Sequence, residues 1–130
     1  MLRIHPFVMG HLIGAVMTGA IAGAFLGPRA AFIAALILLA GAVVSCMICQ
    51  WWPGVEAPVW KLWPAAVLAN PVLAGALGFM ALDWECVAGT RRGFSCLLAA
   101  MALVAAGFCL LPPLGGLLWR WWKRRRAAAT

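Results

Sequence analysis

Four stretches of this chain contain no Asp, Glu, Lys or Arg: residues 4–28, 30–55, 62–82 and 93–119. A helix needs about 20 mostly apolar residues to cross the hydrocarbon core of a bilayer, and each stretch is long enough. Backbone amides in lipid must find partners within their own segment, so an open-ended spanning segment has to be a helix. The period-2 alternation of a membrane barrel is absent from the sequence. Composition excludes the other classes. The chain is 66% hydrophobic and 10% charged, with a mean hydropathy of +1.01; soluble domains run about 45–50% apolar and about 25% charged. Disorder requires low hydrophobicity and is excluded as well. The 130 residues leave room for four spans and almost no loop.

The expectation is one all-α domain over 1–130, an integral membrane four-helix bundle with short loops. Helices are placed near 6–27, 30–52, 64–82 and 94–111, followed by a cationic, Trp-rich tail over 114–130. Gly27-Pro28-Arg29 is a tight turn that makes the first two helices an antiparallel hairpin. Residues 53–63 hold two prolines and a glycine, which argue against a regular helix there. Pro112-Pro113 is expected to break or kink the last helix. Arg3 and an apolar stretch also suit a signal peptide, with Ala20-Ile21-Ala22 imitating a cleavage site. The segment is read here as a retained span.

Four spans put both termini and the middle loop on one side. That side carries Arg3, Lys61, Arg120, Lys123, Arg124, Arg125 and Arg126, seven of the ten basic residues. Arg29, Arg91 and Arg92 fall on the other. The positive-inside bias places both termini in the cytoplasm of a bacterial inner membrane. Seven of the eight Trp share that side: Trp51, Trp52, Trp60, Trp63, Trp119, Trp121 and Trp122. An indole favours the interface, where an apolar ring meets a wet N–H. These Trp and the tail cations Arg120, Lys123, Arg124, Arg125 and Arg126 are assigned to the lipid interface, with anionic headgroups as partners. Attraction there runs to about 1 kcal/mol per basic residue. The net charge of +7 is therefore read as membrane contact; nucleic acid is not expected as a partner.

Helices in lipid associate by close packing over small residues. The first helix carries Gly10, Gly14 and Thr18 at one i, i+4 spacing, and Ala15, Gly19, Gly23 and Gly27 at the neighbouring one. The third carries Asn70, Ala74 and Gly78. The plain reading is packing within one bundle; the sharper reading is that some grooves receive helices of other membrane subunits. Asn70-Pro71 lies mid-span. Its plain role is a local hydrogen bond to backbone, and its functional alternative is the polar lining of a metal or solute path.

Ionisable groups inside a span suggest function, and the four cores hold only His11. His5 is on the same helix, so this chain alone cannot ligate haem through two histidines. A single axial ligand, or a haem, pigment or quinone site shared with another subunit, stays open beside a neutral structural His11. Cys46 and Cys49 form a C-x-x-C, and Cys86 and Cys96 flank the outer loop. This pattern resembles a membrane thiol oxidase of the disulfide-bond-forming kind, which also has four helices. There both pairs face the oxidising side; here they lie across the membrane from each other. Cys46 and Cys49 are accordingly read as small core residues. Thiol–disulfide exchange with quinone as electron sink is the enzymatic alternative. Cys86 and Cys96 are expected to form a structural disulfide. No nucleophile, phosphate-loop or metalloprotease motif occurs. The leading expectation is a non-catalytic accessory subunit of a larger respiratory or photosynthetic membrane complex.

Overall fold

The computed structural model describes residues 3–130, which are all-helical with no strand among them. The elements are α1 (Pro6–Leu26), α2 (Pro28–Trp51), α3 (Val59–Leu68), α4 (Pro71–Leu82), a single turn α5 (Trp84–Val87), α6 (Leu97–Phe108) and α7 (Leu111–Ala129). Among the described residues α1, α2 and the run Phe94–Ala129 are each long and apolar enough to cross a membrane. The pair α3 and α4 makes a fourth candidate span if counted as one bent element.

Prolines set most of the boundaries. Pro6, Pro28, Pro71 and Pro112-Pro113 each lie in the first turn of a helix, where a missing N–H has no intrahelical partner to lose. Pro112-Pro113 therefore starts α7; the expected break falls earlier, at Cys109-Leu110, and the tail continues as helix to Ala129. The first turn shrinks to Gly27 alone, at φ 104°, because Pro28 and Arg29 already belong to α2. The second connection is also shorter than expected. Pro58 takes the N-cap position and α3 begins at Val59, inside the stretch expected to be irregular.

The expected single helix over 64–82 is instead two helices bent by 59°. A residue preceding proline is pushed out of the helical region, and Asn70 sits at φ −76°, ψ 117°. Its side chain then caps α4: Asn70 Oδ1 accepts from the Val72 N–H at 3.0 Å. Gly41 of α2 makes room for this cap, because a Cβ there would lie 2.5 Å from Asn70 Oδ1.

Helix α1 is the centre of the packing. Its two rows of small residues face two different helices. Gly10 and Gly14 lie against Pro112, Gly115 and Gly116 of α7, and Gly19 and Gly23 lie against Ala35 and Ala31 of α2. A Cβ at Gly10 would come 2.6 Å from the Gly115 carbonyl, and one at Gly19 or Gly23 would overlap the alanine opposite. Close backbone approach is what holds helices together where lipid removes the hydrophobic drive. Helix α3 packs between α2 and α7 and meets α1 through Phe7, while α4 pairs mainly with α6 and reaches the core beside α2 through Leu73. Two buried clusters result. One joins Ala15, Leu38, Ala42, Val67, Leu73 and Cys109; the other joins Phe7, Cys49, Leu62 and Ala66.

Not every small residue expected to pack does so. Gly27 has empty space around it and serves the turn through its positive φ, which a side chain would strain. Ala74 and Gly78 lie on the exposed face of α4; the residues of that helix which turn inward are Leu73 and Ala76. The bend at Asn70 rotates the Ala74 and Gly78 row away from the bundle.

Candidate functional site

The start of α1, the α2–α3 connection and the second half of α7 meet at one end of the molecule, termed here the basic end. Glu56 joins all three. His5 Nε2 lies 2.5 Å from Glu56 Oε1, and Arg124 Nη2 donates to Glu56 Oε2 at 2.7 Å. The tautomer of His5 follows from its second contact. Nδ1 accepts from the Phe7 N–H at 3.2 Å as the N-cap of α1, so Nδ1 is bare. The ring proton is then on Nε2 and is donated to Glu56. The His5 hydrogen bond, followed by Arg124, holds the Glu56 carboxyl below its ordinary value; its slight burial opposes this.

Arg120 stands one helical turn before Arg124 and behaves differently. Its guanidinium is buried, with Nη1 donating to the carbonyls of Val55 at 3.1 Å and Ala57 at 2.7 Å, and Nη2 to that of Glu56 at 3.2 Å. Three consecutive carbonyls of the connection are thus gathered by one planar fork, a geometry an ammonium cannot reproduce. This corrects the assignment of Arg120 to the lipid interface. The row Pro112, Gly116, Arg120 is buried throughout, and Arg120 meets protein carbonyls before it can meet a headgroup. Trp63 is corrected likewise: it is half-buried against the Ala15 cluster, and its Nε1 is buried without a partner among the described residues. Trp119 is half-buried, at the α1–α7 seam. Trp51, Trp52, Trp60, Trp121 and Trp122 are exposed, as are Lys123, Arg124, Arg125 and Arg126. Arg125 stacks 4.1 Å from the Trp121 centroid and Arg126 stacks 3.7 Å from that of Trp122.

The interior holds few polar groups, and the two hydroxyls among them are satisfied by backbone carbonyls. Thr18 donates to the Gly14 carbonyl at 2.6 Å and Ser45 to the Ala66 carbonyl at 2.6 Å. His11 is fully buried in the row Phe7, His11, Ala15, which links the two apolar clusters. Its ring meets Phe7 edge-on at 5.5 Å, and neither ring nitrogen has a hydrogen-bond partner among the described residues. Asn70 Nδ2 is likewise unpartnered. Cys46, Cys49 and Cys109 are buried free thiols. Cys86 and Cys96 are disulfide-bonded, closing a separation of ten residues beyond the far end of α4. Arg91 pairs with Asp83 at 3.4 Å and with Glu85 at 3.8 Å within that loop. Among the described residues no three His, Cys, Asp or Glu side chains converge as a metal site.

Several residues that organise the basic end escape a reading by residue type. Glu56 looks like an isolated loop acid, and Gly115-Gly116 like a flexible pair. The signal for both is the i, i+4 row 112, 116, 120, 124 on α7, which runs from proline through glycine to two arginines. Comparison with known proteins finds no match to any family model, curated protein or solved structure.

Proposed function

We propose that this chain is a four-helix protein of a bacterial inner membrane, with both termini in the cytoplasm. Its role is that of a small non-catalytic accessory subunit that docks on a larger respiratory or photosynthetic assembly. The bent pair α3 and α4 counts as the third span, and the excess of Lys and Arg at the basic end sets the orientation. The observation that carries the docking role is a contrast between two glycine rows. Those of α1 are consumed by α2 and α7, whereas Gly75 and Gly78 of α4 face open space beside the exposed Ala74. Glycine in a helix interior costs about 1 kcal/mol relative to alanine. Nothing among the described residues recovers that cost on α4; a partner helix in close contact would.

The test is purification of the tagged protein in mild detergent. A defined set of membrane chains is expected to co-purify, and Gly78→Leu is expected to release them without unfolding the protein, since a Cβ there meets nothing among the described residues. Elution as a lone monomer would contradict the proposal.

A further inference from the structure

The seam between α1 and α7 is open on its lipid-facing side. The two backbones approach so closely over Gly10, Gly14 and Gly115 that an apolar groove of about 460 Å³ remains between the larger residues. Ile13, Met17 and Leu118 form its walls. The groove runs from Met17, midway along α1, to Trp119 and Trp122 at the basic end. From Gly10 to Met17 the helix rises about 10 Å, the depth of roughly one turn pair into the hydrocarbon.

The groove changes chemistry along its length. Its deep part is aliphatic, its mouth is indole, and beyond the mouth stand two cations. The Arg126 guanidinium lies 3.7 Å from the Trp122 centroid and Lys123 Nζ lies 6.0 Å from it. The salt bridges among the described residues engage Glu56, Asp83 and Glu85, and none of them reaches Lys123 or Arg126. The order of aliphatic floor, amphipathic ring and free cation matches a phospholipid from acyl chain through glycerol to phosphate.

The geometry points to a binding site for one anionic phospholipid on the α1–α7 seam. An acyl chain occupies the glycine-floored groove, the glycerol region rests on Trp119 and Trp122, and the phosphate sits between Lys123 and Arg126. Charge decides against a second copy of the chain as occupant. Copies in one membrane share an orientation, so a partner would bring its own Lys123 and Arg126 to the same depth, and like charges oppose such pairing. The site is independent of the docking face on α4.

Native mass spectrometry of the detergent-solubilised full chain tests this, with phosphatidylglycerol and phosphatidylcholine of matched acyl chains as probes. The wild type is expected to retain one phosphatidylglycerol in preference to phosphatidylcholine. Arg126→Gln should reduce that preference by about five-fold, the effect of one near-surface cation. Arg125→Gln, which removes the same charge from beside Trp121, a residue outside the groove, should reduce it by less than about two-fold, the share left to diffuse attraction. Ile13→Trp fills the groove from its exposed wall and should abolish retention of both lipids while the unfolding transition stays in place. Equal losses from Arg125→Gln and Arg126→Gln would overturn the site in favour of diffuse attraction to the tail. Equal retention of the two lipids by the wild type, unaltered binding by Ile13→Trp, or a dimer in place of the lipid adduct would also overturn it.

Discussion

Arg120 Nη1 lies 2.7 Å from the carbonyl oxygen of Ala57, a residue 63 positions earlier in the chain. With its bonds to Val55 and Glu56, this contact ties the α2–α3 connection to α7. The connection contains two prolines and a glycine and has no regular hydrogen-bond ladder of its own. The arginine supplies the donors that the local backbone cannot.

Arg120→Met should therefore destabilise the protein by about 2 kcal/mol, a typical value for hydrogen bonds to a charged group. Arg120→Lys should restore less than half of this, because one ammonium cannot serve three carbonyls in a plane. Unfolding in mixed micelles followed by Trp fluorescence checks both values, and faster proteolysis within residues 53–58 should accompany the loss.

Glycines of α1 and α4 should respond in opposite ways. Gly23→Val forces atoms into Ala31 and should cost at least 1–3 kcal/mol, roughly the range for overpacking. Gly78→Ala meets no neighbour and should be neutral or gain up to about 1 kcal/mol from helix propensity. Equal effects of the two substitutions in a micelle unfolding assay would contradict the packing described for α1.

The pH dependence of the basic end follows from Glu56. His5 first, and Arg124 after it, depress its carboxyl from the ordinary value of 4.5. A group depressed in the folded state contributes stability above its unfolded pKa and loses it as pH falls through the folded value. The contribution should thus be complete above about pH 5 and fade in more acidic solution. Because Glu56 is exposed, the effect is small. The midpoint of thermal unfolding should fall more steeply on acidification in the wild type than in Glu56→Gln.

His11 has no hydrogen bond among the described residues, and burying an unsatisfied polar group costs roughly 1–3 kcal/mol. His11→Phe, which keeps a ring beside Phe7, is expected to leave stability unchanged or raise it. A lower unfolding midpoint would show that the imidazole has a partner to lose, such as a shared cofactor. Optical absorption of the membrane-purified protein, with and without the substitution, would then identify it.

Much of the architecture was legible in the chain because lipid imposes strict rules. Charge-free windows located the long apolar helices, but prolines expected in a turn, mid-span or at a helix end proved to open α2, α4 and α7, where a missing N–H costs nothing. The small residues of α1 fall at two neighbouring i, i+4 spacings, Gly10 and Gly14 on one and Gly19 and Gly23 on the other. What the spacing could not reveal was their destinations, α7 for one and α2 for the other. Asn70-Pro71 marked a disturbance in the third apolar stretch, but its 59° consequence depends on the cap at Val72 and the vacancy at Gly41.

The sequence by itself determined that the chain is helical and apolar, and that its cations and indoles crowd toward one end, because these follow from composition and local periodicity. Only the tertiary structure decided which of those cations turns inward. Arg120 and Arg124 are a single turn apart on one helix face, yet one is buried on loop carbonyls and the other is exposed on Glu56. The physical reason is that a guanidinium takes whatever acceptors lie within its reach. Those acceptors come from residues 55–57, whose position is set by how α3 packs and not by anything adjacent in the chain.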